Sequence, residues 1–256
     1  WAKDAAGNVS AAKSIASYVV TRDQGTGSSL VTRLDGTSAS TGTAVTANTA
    51  VLTGTSVWAS ASANSGYHGA ALTKNGATAT VGGAAHTISA ATTFKSTVDP
   101  KTYTIYFYQG NGTSTAGNTL IGNITVEYNS SVTLPAYSTL STAPNGWTFY
   151  GWGASETGTT RSRTNGATFT YTTVGDTNLY AIFYKYHYFN SGEAPVQRPT
   201  GTPSRQTQYW NPYSTASTYL TSITIPTPAN VYTNESEGWS FVGYREDNNA
   251  NGTVRY

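Results

Sequence analysis

Tyr103-Thr-Ile-Tyr-Phe-Tyr-Gln-Gly110 decides how the chain is read. Aromatic and β-branched residues closed by Gly are what a half-buried strand and its turn want. The stretch also has a counterpart further on, Tyr184-Lys-Tyr-His-Tyr-Phe-Asn-Ser191. Three more blocks follow in the same order. Ser131-Val-Thr-Leu-Pro135 aligns with Ser222-Ile-Thr-Ile-Pro226, and Gly146-Trp-Thr-Phe-Tyr-Gly-Trp152 with Gly238-Trp-Ser-Phe-Val-Gly-Tyr244. Asn165-Gly-Ala-Thr-Phe-Thr-Tyr171 aligns loosely with Asn251-Gly-Thr-Val-Arg-Tyr256. Four blocks at similar spacing indicate a repeat. The second copy carries extra residues between Pro195 and Ser217 and has no counterpart to Asn178-Leu-Tyr-Ala-Ile-Phe183.

Working outward, the composition agrees. Of 256 residues, 10% are charged, against about 25% in ordinary domains. Thr, Ser, Gly and Asn take their place. Twelve per cent are aromatic, led by 19 Tyr, which argues against disorder. The fold class expected is all-β: tandem small modules, with the end of a β-sandwich followed by β-grasp-like repeats in an extended rod. A net charge of +2 with scattered basic residues offers no track for phosphates, so no nucleic-acid partner is expected. With no Cys there is no disulfide framework, thiol nucleophile or zinc-thiolate site. No window approaches 18 apolar residues, so no membrane span is expected in this stretch. The chain opens at Trp1 and contains no Met, which reads as a piece without its start. Lack of both Cys and Met is compatible with export from a bacterium.

Upstream of Tyr103, Ile15 to Thr21 reads as a strand. Val31 to Val98 is Thr/Ser/Ala-rich with period-2 patches such as Val57-Trp-Ala-Ser-Ala-Ser-Ala63. Asp35-Gly36 and Asn75-Gly76 predict type I′ hairpins. Asp99-Pro100 marks a boundary.

These blocks resemble the Listeria–Bacteroides repeat of the internalin B-repeat type, on "YTIYFYQGNG", "ITVEYNSSVTLPA", "GWTFYGW" and "NLYAIF". Trp147 replaces the family's usual Tyr, Phe183 its final Trp, and Tyr244 stands where Trp is usual. "KDAAGNVS" near the start is similar to the last hairpin of bacterial immunoglobulin-like modules. The divisions expected are 1–22 for that module's end, 23–99 for a degenerate β repeat, 100–183 for a complete B-repeat and 184–256 for an incomplete copy. The resemblance implies a secreted or wall-attached surface protein and no particular ligand.

Nothing points to catalysis. His68, His86 and His187 sit in different units, and no phosphate loop, nucleophile elbow or His–Glu metal motif is present. The twelve carboxylates are sparse, and a glycosidase needs two facing across a cleft. The chain is therefore not expected to be an enzyme. Asp247-Asn-Asn-Ala-Asn-Gly252 matches the first half of a calcium loop, with Asp247, Asn249 and Asn251 as ligands. An Asn-rich hairpin turn is the plainer reading. Calcium is the one cofactor considered. Tyr106, Tyr108, Trp147, Tyr150, Trp152, Tyr186, Tyr188, Trp239 and Tyr244 could stack on sugar rings. Against that, Trp147, Phe149 and Gly151 alternate with Tyr150 and Trp152, so one set must fill a core. Tyr209, Trp210 and Tyr213 lie in the inserted stretch, read as a loop on which binding could be grafted. A lid over a sheet edge is the plainer reading. Of the six lysines, Lys101 and Lys185 stand at strand starts where an isopeptide crosslink could be tested.

The function expected is the stalk of a bacterial surface adhesin, extracellular, with a host glycan or protein, neighbouring modules and self-association as partners. The alternatives are a filament or surface-layer subunit assembled by strand donation, and a carbohydrate-binding module.

Overall fold

A computed structural model of the chain describes residues 5–7, 14–110, 119–188, 205–211, 244–245 and 254–255. It is nearly all β, as expected, with several sheets. The chain divides into two compact units. The first comprises Trp1–Tyr103, Val126–Ser130 and Thr170–Gly175; the second Thr104–Thr125, Ser131–Phe169 and Asp176–Tyr256.

The first unit holds β1 (Ser17–Gln24), β2 (Ser28–Leu34), β3 (Thr43–Ala44), β4 (Thr49–Leu52), β5 (Ser56–Ala63), β6 (Tyr67–Lys74), β7 (Ala77–Ala79), β8 (Ala84–Thr87) and β9 (Thr92–Pro100). One sheet runs β4-β1-β9-β6-β7 and the other β3-β2-β5-β8. Period-2 alternation turns Leu30 from β2, Val57, Ala59 and Ala61 from β5, Val20 from β1, Leu72 from β6 and Phe94 from β9 into one shared core. Three hydroxyls that enter it are bonded. The Ser28 and Ser96 hydroxyls meet at 2.7 Å, and Thr32 donates to the Val45 carbonyl at 2.9 Å. β1 pairs with β9 in parallel, Val20 opposite Thr92 to Gln24 opposite Ser96. A boundary after residue 22 therefore falls within β1.

Asn75 and Gly76 both take positive φ, 49° and 81°, and join β6 to β7 in the expected two-residue hairpin. Asp35 also has positive φ, 51°, but no tight hairpin forms there. Its N–H donates to the Ser56 carbonyl, and β2 pairs with β3 only from Leu34 opposite Thr43, across a longer loop.

The second unit continues with β10 (Thr102–Gln109), β11 (Thr119–Glu127), β12 (Ser131–Thr133), the single-turn α1 (Tyr137–Leu140), β13 (Thr148–Gly153), β14 (Arg161–Arg163), β15 (Thr168–Thr170), β16 (Thr177–Tyr188), β17 (Arg205–Trp210), β18 (Tyr244–Arg245) and β19 (Val254–Arg255). Its main sheet runs β11-β10-β16-β13-β14, with β17 added to β16; β12 pairs β15, and β18 pairs β19. β10 and β16 are parallel, Ile105 opposite Thr177 to Tyr108 opposite Tyr180. The strand order resembles that of β4-β1-β9-β6-β7: β10 and β16, like β1 and β9, are adjacent and parallel, and β13, like β6, then pairs antiparallel to the second of them. β6 and β13 each carry a register shift in the same place in that order.

β16 runs without a break from Thr177 through Phe183 to Tyr188, so a boundary at 183/184 falls inside it. Phe183 and Tyr184 pair with β13 on one side and with β17 on the other. Tyr180 likewise has β13 on one side and β10 on the other. One edge of β16 is thus served by two strands in succession, β10 up to Tyr180 and β17 from Phe183 onward. Residues 205–210, read as a loop, are a strand because this edge offers their backbone groups partners.

The core of the second unit is aromatic. Ile105, Phe107, Leu134, Trp152 and Phe183 are essentially inaccessible to solvent. Tyr137, the buried residue of α1, lies flat on Phe149 at 4.3 Å and edge-on to Phe183 at 5.5 Å, while Trp152 meets Phe107 at 4.8 Å. Strict alternation puts Trp152 with Tyr150, opposite Phe149. The chain departs from this because a bulge falls between Phe149 and Gly151. Gly151 has φ 151°, and a Cβ there would come within 2.6 Å of the Arg163 carbonyl oxygen. The extra residue turns Phe149 and Trp152 to the same side, into the core, and leaves Tyr150 on the other.

Candidate functional site

The opposite face of this sheet carries a cluster of tyrosines. With Ile105 and Phe107 turned inward, Tyr106 and Tyr108 of β10 must point outward. With Leu179, Ala181 and Phe183 turned inward, Tyr180, Ile182, Tyr184 and Tyr186 of β16 do the same. Tyr150 of β13 and Tyr209 of β17 complete the face, Tyr209 standing opposite Tyr184 in the ladder. Ring centroids lie 5.6 Å apart for Tyr108–Tyr180, stacked at 23°, and 6.5 Å for Tyr106–Tyr108. Across the β17 side they are 4.6 Å for Tyr150–Tyr209, 6.1 Å for Tyr150–Tyr184 and 5.1 Å for Tyr184–Tyr186. Most of these rings are half-buried, and Tyr186 is 37% exposed. Ile182, between Tyr180 and Tyr184, is fully buried.

Arg161 of β14 closes the group. Its guanidinium carbon lies 4.2 Å over the Tyr150 ring, and Nη1 donates to the Tyr150 carbonyl at 3.2 Å. Burial first, then the hydrogen bond with Tyr150 and the nearby Tyr150 and Tyr186 phenols, push the Tyr209 hydroxyl above its usual value, with Arg161 pulling the other way. Burial likewise raises Tyr180, Glu156 and Tyr108 adding to it and Asn178 opposing. These phenols stay protonated at neutral pH, so each offers one donor and acceptor oxygen.

The β17 segment is held by Asn211, 1% exposed, whose amide donates to the carbonyls of Glu156 and Gly158 at 3.0 Å and reaches that of Ser155 at 3.4 Å. This ties the end of β17 to the β13–β14 loop.

Of the residues singled out from the sequence, Tyr209 joins the tyrosine face, as do Tyr106, Tyr108, Tyr150 and Tyr186. Trp210 stands opposite Phe183 in the β17 ladder, and Tyr213 lies outside the described residues. Trp152 is a core residue, and Trp147 lies under the Lys185 ammonium at 4.8 Å. Tyr180 and Tyr184 were not singled out; the signal for them was the alternation of Tyr180, Ile182, Tyr184, Tyr186 and Tyr188. Asp247, Asn249 and Asn251 lie outside the described residues, in the connection between the paired β18 and β19. Tyr244 faces Arg255 across that pair with the same eleven-residue separation as Trp152 and Arg163 in β13 and β14. That separation aligns residues 247–252 in sequence with Ser155–Thr160, six positions before the alignment of Asn251-Gly252 with Asn165-Gly166. Among the described residues no three His, Asp or Glu side chains form a group that could hold a metal, and no helix is long and apolar enough to cross a membrane. Compared with protein-family models, curated proteins and solved structures, the chain matches none.

Proposed function

We propose that this chain is part of the stalk of a bacterial surface adhesin, made of tandem β modules that carry load between a wall and whatever the parent protein grips. The observation that supports this reading is one parallel strand pair in each unit. β1 lies beside β9, and β10 beside β16, so between Ser17 and Tyr188 each pair bounds its own stretch of chain. Pulling on the free ends of a parallel pair drags the strands past each other, so the ladder bonds are loaded together in shear. An antiparallel terminal pair would open one bond at a time. The repeated blocks of sequence and the common strand order fit tandem modules, and a surface with few charges keeps its interactions insensitive to salt.

The test is single-molecule pulling with handles at Ser17 and Tyr188, compared with pulling across the antiparallel β6–β7 hairpin. Forced unfolding follows the unfolding barrier. Two high-force events between Ser17 and Tyr188, both well above the hairpin reference, are expected. Yielding of both units at the hairpin's force overturns the reading.

A further inference from the structure

The tyrosine face has chemistry that load-bearing does not call for. A sheet face turned from its core is ordinarily lined with Thr, Lys and Glu. Here it carries Tyr106, Tyr108, Tyr150, Tyr180, Tyr184 and Tyr186, and Tyr209 is brought beside them by a strand from a stretch without counterpart in the first copy. Their spacing follows from the sheet: about 7 Å between alternate positions on one strand and about 5 Å between strands. Half-buried rings at such intervals suit a ligand that is itself a row of flat rings.

We propose that this face binds neutral carbohydrate, stacking all-equatorial hexopyranose rings on the tyrosines from Tyr108 to Tyr209. Such sugars present axial C–H groups on both faces and hydroxyls around the rim. The C–H faces match the aromatic rings, and the hydroxyls match the phenol oxygens at their edges. The chemistry separates this ligand from other classes. An apolar protein surface would need exposed aliphatic area, but Ile182, the aliphatic residue among these rings, is fully buried. An anionic glycan would need several cations, yet Arg161 is drawn onto the Tyr150 ring and carbonyl, Lys185 alternates away from the face toward Trp147, and Glu156 adds negative charge near Tyr180. The inference does not depend on the stalk reading: a load-bearing module without ligand, or a ligand-binder that yields at low force, would each separate the two.

The test uses the full chain and three soluble probes, cellohexaose, chitohexaose and heparin, followed by titration calorimetry and tyrosine fluorescence. Saturable binding of cellohexaose or chitohexaose is expected, unchanged up to about 1 M salt, where the Debye length is about 3 Å. Tyr186→Ala should weaken it about tenfold. Tyr209→Phe, which keeps the ring, should weaken it less while leaving the fold intact, and Leu52→Ser in the first unit should leave it unaltered. Failure of both neutral oligosaccharides to bind overturns the proposal. So does binding of heparin alone, or binding indifferent to both tyrosine substitutions.

Discussion

Replacing Asn211 with Ala tests whether β17 is an integral strand of the second unit or a segment lying against it. The side chain is 1% exposed, and its amide has two hydrogens for three carbonyls, two at 3.0 Å and one at 3.4 Å. That amounts to two good hydrogen bonds and a shared third. Each neutral bond contributes about 1 kcal/mol net, and an acceptor left buried without a donor costs about 1–3 kcal/mol. Ser155 and Glu156 are exposed, so their carbonyls regain water once the loop relaxes, which holds the loss near the lower bound. The expected destabilisation is about 2 kcal/mol, read as a drop in the urea midpoint of the transition reported by Trp152 fluorescence. The first unit contains none of these bonds, so its transition should stay where it is. Amide exchange should rise along 205–210 and at Phe183 to Tyr188, where β17 pairs. Asn211→Asp sharpens the test. A carboxylate facing three carbonyl oxygens is repelled, and its pKa is raised in the folded state. This variant should therefore be less stable than Asn211→Ala at pH 7 and recover as pH falls and the carboxyl gains a proton. A loss below about 0.5 kcal/mol for Asn211→Ala, the range of an ordinary surface change, would refute the clamp.

Two further outcomes follow. Gly151→Ala drives a Cβ into Arg161 Cδ and to 2.6 Å from the Arg163 carbonyl oxygen at φ 151°, so β14 must give way. It should cost about 2 kcal/mol of unfolding free energy by urea titration and loosen Arg161 from the Tyr150 ring. In the first unit, burial, then the Lys74 charge, holds the His86 imidazole below its usual pKa of 6.5, its ring 5.2 Å from Phe94. The unfolded chain then binds a proton more readily than the folded one. Stability is full above pH 6.5 and is lost as pH falls through the folded value. The urea midpoint of this unit should decline between pH 7.5 and 5, and His86→Gln should flatten the decline.

What could be read from the sequence was local. The Asn75-Gly76 turn needs only its own two residues, and the all-β class needs only composition. Strict alternation groups Trp152 with Tyr150, and the bulge between Phe149 and Gly151 separates them; nothing in "GWTFYGW" distinguishes a bulging Gly from a turning one. β17 was missed because Arg205-Gln-Thr-Gln-Tyr-Trp210 has too polar an interior to read as a strand. It becomes one only because β16 outlasts β10. The tyrosine face was half visible. Tyr106, Tyr108, Tyr150, Tyr186 and Tyr209 were each noticed as aromatic, but their convergence depends on the parallel pairing of β10 with β16, whose partners lie far apart in sequence.

That separation has a consequence for how the second unit comes into being. Ile105 meets Thr177, so the central ladder closes a loop of some seventy residues, and loop closure must precede any gain from the contact. A growing or emerging chain can form the local β13–β14 pair early, but β10 waits for β16. Assembly of the unit should therefore be slow, late and nucleated around β13 and β14. A chain passed across a membrane N-terminus first would stay threadable until β16 arrives, and then lock.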